Sequence, residues 1–396
     1  MSAFYVGNAQ ETTENSFGKG IINVIAKDSS WSMKFGTRFQ MLSTTGWDIS
    51  DGDYDKPETN FLLRRARLKF SGFAYSPKIT YKMELGLSNR DISGASEFTR
   101  NSPRYILDAV IKWNFHKNFT LWAGQTKLPG NIERVISSAN LQLVGRSRLN
   151  SRFNIDRDLG VQLRHYFKMT DKFLVRESLA VSQGEGRNVT EGNLGGHQYT
   201  GRIALLPFGK FAGKGGYKGG DLKREKTPKL MLAATYDFNA DAVKSRSNQG
   251  SYMGSSKLGF YETDITTVFV DAMFKYSGFS FMGEFADRDA KDPIVKESYI
   301  DRDADGKAKH DTVVQVGNAL NLQAGYLCKS NWEVVARYTS INFDSIVGKD
   351  LEQQYTLGVS RYVVGHSLKI QSDISYTTEA GDGSGLMYRL QFDIHF

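Results

Sequence analysis

The densest run of groups able to do chemistry is Phe61-Leu62-Leu63-Arg64-Arg65-Ala66-Arg67-Leu68-Lys69-Phe70. Arg65, Arg67 and Lys69 recur at every second residue. Successive side chains of a strand point to opposite faces, so this spacing puts three cations on one face. Leu62, Ala66, Leu68 and Phe70 fall on the other. A ladder of fixed cations offers an anion several favourable but weak sites, which is the chemistry of selective passage. Lys34 and Arg38 alternate in the same way and are expected beside the ladder. Arg64 has the wrong parity, so it either snorkels at a rim or is turned inward by a bulge.

A second group lies in residues 126–158, with Lys127, Arg134 and Arg146 among Ile132, Val135, Ile136, Leu141, Leu143 and Val144. A segment this long is usually functional. It is also too apolar to stand in water, and folding inward would bury it and bring its cations to a constriction; the bland alternative is an outer loop packed on its neighbours or a subunit interface. Asp301, Asp303 and Asp305 with Gly306 match the start of a calcium loop. Position 12 of that loop is Thr312, so the bidentate ligand is missing and a solvated acidic turn is the competing reading. No G-x-S-x-G elbow, P-loop or H-E-x-x-H is present. His116, His310 and His366 fall in turns or loops.

The elements that must carry these residues are strands. Trp31, Met33, Phe35, Phe39 and Met41 share one parity, and Ser32, Lys34, Arg38 and Gln40 the other. The pattern recurs over 79–87, 105–113, 268–276, 368–376 and 388–396, and gives about sixteen alternating segments in all, an even number as closed membrane barrels use. Leu107 is assigned to the greasy face. Gaps alternate between tight turns, such as Ser277-Gly278, and long polar stretches, as expected of a barrel with short turns inside and long loops outside. Residues 207–228 break that rhythm, because a turn there should be short. A possible helix lies within 131–144. On the water-facing parity about fourteen basic residues stand against about eight acidic ones, among them Glu84, Asp108 and Glu284.

Composition agrees. Only 40% of residues are hydrophobic, yet 12% are aromatic, which suits a polar lumen ringed by interfacial aromatics better than a soluble core. No run of about twenty apolar residues could form a membrane helix. The net charge of +8 falls on alternate strand positions, which favours an anionic solute over nucleic acid. Cys328 cannot form an intrachain disulfide and is expected to face lipid. Residues 1–10 read as a signal-peptide remnant, 11–30 as an N-terminal periplasmic segment and 31–396 as one transmembrane antiparallel β-barrel. The final Phe396 on an alternating strand resembles the signal read by bacterial barrel-assembly machinery.

The segments FLLRRARLKFSG and GQTKLPGNIERVISSANLQLVGRS, with the lysine-rich GGDLKREKTPKL, resemble the phosphate-selective porin O and porin P family in its Bacteroidota-type branch. The resemblance covers most of the chain from about residue 20 to Phe396. It implies a sixteen-stranded trimeric barrel in the outer membrane, an inward-folded third loop, and a central anion site at Arg38, Arg64, Arg65, Lys127 and Arg134. A long second arginine ladder is missing; only scattered Arg164, Arg176 and Arg202 follow. The motif therefore implies anion preference more firmly than phosphate specificity. The expected function is a porin passing small inorganic anions, set in lipid and lipopolysaccharide, with no resident cofactor. The alternatives are a general or nutrient-specific pore, or a barrel partner of a secretion or surface complex.

Overall fold

The computed structural model describes residues 11, 12 and 17–396, except 51, 93, 95, 191–193 and 380–382. The expected signal-peptide remnant, 1–10, lies outside the described residues. Sixteen antiparallel strands form the wall. They are β1 (Ser32–Ser50), β2 (Glu58–Ala74), β3 (Ser76–Gly86), β4 (Ile106–His116), β5 (Phe119–Lys127), β6 (Arg157–Lys168), β7 (Leu174–Ser182) and β8 (Gln198–Leu206). They continue as β9 (Lys229–Ala242), β10 (Thr263–Tyr276), β11 (Phe279–Ala290), β12 (Gly317–Leu327), β13 (Trp332–Phe343), β14 (Glu352–Val364), β15 (Leu368–Glu379) and β16 (Gly383–His395). Each pairs with the next, and β16 pairs with β1 from Ser384↔Ile49 to His395↔Arg38, so the sheet closes and has no free edge. Ile22–Ile25 pairs with the start of β1 and continues that seam where β16 stops.

Two-residue turns such as Ser277-Gly278 join strands at one end; both residues have positive φ, as a turn matched to strand twist requires. Longer loops join them at the other end. The outward side chains are apolar and open to the surroundings, from Phe61 (83% exposed) to Val270 and Ile374. Among the described residues no helix is long and apolar enough to cross a membrane; the strands do so.

Three departures from strict alternation have local causes. The register of β1 against β2 slips between Gln40↔Arg65 and Met41↔Leu63, leaving Arg64 as an extra residue. This bulge turns Arg64 inward beside Arg65 and reverses the parity before it, so Phe61 and Leu63 face out and Leu62, expected to face lipid, pairs with inward Leu42. A second slip, between Glu84↔Asp108 and Leu85↔Ile106, buries Leu107 against the lumen. Cys328 lies just beyond β12, exposed in a turn rather than in the strand wall. The helix expected within 131–144 is one turn, α1 (Ile132–Val135), followed by a 3-10 turn at Ser138–Asn140; a second helix, α2 (Arg148–Phe153), lies further on.

The lumen is not a clear bore. The third outer loop, 128–156, folds into it over two apolar patches of the inner wall. Leu149, Phe153 and Ile155 pack among Ile265, Phe269, Ala286 and Ile341, near the outer mouth. Ile132, Ile136 and Leu141 pack with Met231, Ala233, Met273 and Met282, deeper inside. Phe211, from the 207–228 turn, joins this second patch.

Candidate functional site: a cationic conduit

A loop inside a barrel carries backbone groups that water cannot fully reach, so they need partners. Here long basic side chains supply them. Lys127 Nζ donates to the carbonyls of Arg134 (2.5 Å) and Ile136 (3.1 Å) at the end of α1. Arg146 donates to the carbonyls of Glu133 (3.0 Å) and Ile136 (2.8 Å). Arg64 reaches the Val144 carbonyl (2.7 Å), Arg337 that of Gly145 (2.9 Å) and Lys369 that of Leu141 (2.8 Å). Arg38 is fully buried; it donates to both oxygens of Asp393 (2.9 and 2.8 Å) and to Ser138 Oγ of the loop (2.8 Å). Glu284 accepts from the Glu133 amide (2.7 Å) and Asn131 (3.2 Å), so it too holds the loop.

The long 207–228 turn enters from the opposite end. Lys275 Nζ, buried on β10, donates to the carbonyls of Gly215, Lys218 and Gly220 at 2.9–3.0 Å. The Gly219 amide donates to the Asn140 carbonyl of the third loop (2.7 Å). A Cβ at Gly219 would lie 2.8 Å from that same oxygen, so this approach needs glycine. Loop and turn thus meet and fill the lumen along its β8–β16 side.

An open space of about 1430 Å³ remains along β2–β7, running from the outer loops to the 207–228 turn. Among its described lining residues are eighteen Lys and Arg against seven Asp and Glu, a strong excess of positive charge. Arg65, Arg67, Lys127, Arg134 and Arg146 line it; Lys34, Arg38, Arg64 and Lys69 do not. Lys34 is exposed near the turn end of β1, and Lys69 lies 3.9 Å from Glu84. Much of the outer and middle charge is paired. Arg67 meets Glu84 (2.9 Å) and Asp91 (2.5 Å), and Arg65 lies 3.8 Å from Asp91. Lys82 meets Glu84 (2.8 Å) and Asp108 (2.7 Å), Arg157 meets Asp108 (3.3 Å), and Arg134 is bidentate on Asp156.

Lys82, Lys112, Arg157 and the turn residues Lys214 and Tyr217 line the space but escape a reading of single-strand ladders. The inward parity of Lys82 and Lys112 was readable; the folding-in of the turn was marked only by its excess length. Asp301, Asp303 and Asp305 do not converge, and no three candidate ligands do so among the described residues. Asp301 lies 3.3 Å from Lys309, and Asp303 accepts from the amides of Asp305 and Lys307.

A closed sixteen-stranded antiparallel barrel with an apolar outer wall and a loop-narrowed, water-filled lumen is a bacterial outer-membrane porin. The profile of the phosphate-selective porin O and P family matches residues 39–394, and the chain belongs to that family. Solved structures share the fold at low identity. The anion-selective porin of Comamonas acidovorans is 11% identical, with a TM-score of 0.54, covering 92% of this chain and 100% of that one. OmpF of Salmonella typhi, in complex with daunomycin, is 10% identical with a TM-score of 0.56 (95% and 100% covered). OmpT of Vibrio cholerae, in its trimer form, is 10% identical with a TM-score of 0.53 (93% and 100%). Comparison with curated proteins gave no match.

Proposed function

We propose that this porin passes small inorganic anions, phosphate among them, by passive diffusion along the β2–β7 side of its lumen. The observation that carries the reading is the excess of cations over carboxylates around this open space. Multiple weak cationic sites let an anion enter and leave. Arg65, Arg67, Lys127, Arg134 and Arg146 act from the lining, while Lys34, Arg38, Arg64 and Lys69 add to the potential from behind or beside it. The family description supports phosphate as a solute. We propose a homotrimer set in outer-membrane lipid and lipopolysaccharide, in line with the trimer form of the Vibrio barrel.

Planar-bilayer recording across a salt gradient tests this. Anion preference is expected in the reversal potential, with chloride current inhibited by added phosphate. A reversal potential of cation sign would remove the proposal. The Arg65→Gln, Arg67→Gln double variant should move the potential towards zero.

A further inference from the structure

The conduit holds its cations in two different ways. In the outer and middle parts, five are neutralised by Glu84, Asp91, Asp108 and Asp156, and Lys127 and Arg146 are engaged by loop carbonyls. Near the short-turn end the partners are aromatic rings, with the neutral Gln162 Oε1 also accepting from Arg164 (2.8 Å). Lys112 Nζ lies 3.7 Å and the Arg164 guanidinium 3.8 Å from the Trp122 ring centre. Arg176 lies 5.3 Å from the Tyr217 ring and Lys210 4.6 Å from the Tyr166 ring. None of these four has a carboxylate within ion-pair distance among the described residues. The Arg176 Nη1 is buried with no hydrogen-bond partner. All of these residues line the open space.

A ring face orients a cation through its quadrupole without cancelling its charge. The full charge therefore stays available to a solute, whereas in an ion pair it is shared with a carboxylate. The rings also add apolar surface: Tyr166 is 37% and Tyr217 36% exposed, so each leaves area for contact. Phosphate gains nothing from such surface. A carboxylate carried on a flat apolar body gains on both counts, by stacking on a ring or guanidinium plane and by pairing with Arg164 or Arg176.

We infer that the periplasmic end of the conduit is a binding site for aromatic carboxylates, formed by Lys112, Trp122, Arg164, Arg176 and the inward-folded Tyr217. It rests on the anion-channel reading and adds a second solute class, at a place distinct from the Arg65–Arg67 ladder.

The test is block of single-channel chloride current by benzoate, with acetate as the probe of equal charge and no ring. Benzoate is expected to block at lower concentration than acetate in the unaltered protein. Tyr217→Ala, in an exposed part of the turn, should weaken the benzoate block about threefold or more and leave the acetate effect unchanged. Arg176→Gln should weaken both. Equal block by benzoate and acetate, or benzoate block untouched by Tyr217→Ala and Arg176→Gln, would overturn the site while the anion preference stood. Absence of anion preference in the unaltered protein would overturn the channel reading as well.

Discussion

At the scale of single residues, a cation in this lumen does one of three things, and burial decides which. Arg38 is sealed and paired with Asp393, so it acts as framework. Removing one partner of such a pair leaves an uncompensated buried charge, at about 3–5 kcal/mol. Asp393→Asn should therefore lower the temperature at which the barrel unfolds in detergent, read from the heat-induced mobility shift on gels. Arg67 is paired but faces water. Arg164 faces water over a ring. A carboxylate sets the pH response of the outer mouth. Glu185, in the 183–197 loop, lines the conduit and is pushed up to about 7 by burial and by the nearby Asp158. Its folded value lies above its unfolded one, so the fold gains stability as pH falls through that value. Protonation also removes a negative charge from the mouth. Anion preference is expected to rise as the solution passes from mildly alkaline to mildly acidic. Glu185→Gln should hold the acidic-side reversal potential throughout, and a variant that still titrates would sink the assignment.

At the scale of elements, the strands were legible because each has one face in hydrocarbon and the other turned inward. That boundary condition writes a period of two into β1, β4, β10 and β16. Breaks in the period were harder to place. The parity of Arg64 left a bulge and a snorkelling rim residue both open, since the bulge answers to the register of the neighbouring strand. Leu107 was misplaced for the same reason. The inward folding of the third loop was readable from its apolar residues, which needed burial, although packing on neighbouring loops would also have covered them. The 207–228 turn was conspicuous for length alone, and its Gly and Lys content gave no hint that Lys275, far along the chain, would gather three of its carbonyls. Lys275→Met leaves those acceptors without their donor, and unsatisfied buried groups cost about 1–3 kcal/mol each. The turn should loosen from the lumen, and single-channel conductance should rise. Unchanged conductance would mean that the turn does not narrow the path.

At the scale of the whole molecule, the charge excess is concentrated on one side of the lumen, while the other side is filled with loop, turn and paired side chains. Much of the conduit's charge faces water, so ions should screen it: the Debye length is about 10 Å at 0.1 M and about 3 Å at 1 M salt. The reversal potential for a fixed concentration ratio should shrink as total salt rises. A salt-independent value would place the selecting groups in a dry constriction instead.

The Arg38 guanidinium touches β16 through Asp393 and the third loop through Ser138, while itself standing on β1. One side chain therefore spans the weld between the two ends of the polypeptide and the plug that fills it. Cylinder and plug therefore share an anchor, and a chain whose third loop has strayed keeps the Arg38–Asp393 stitch across its seam but leaves one guanidinium nitrogen of that stitch without its hydroxyl acceptor.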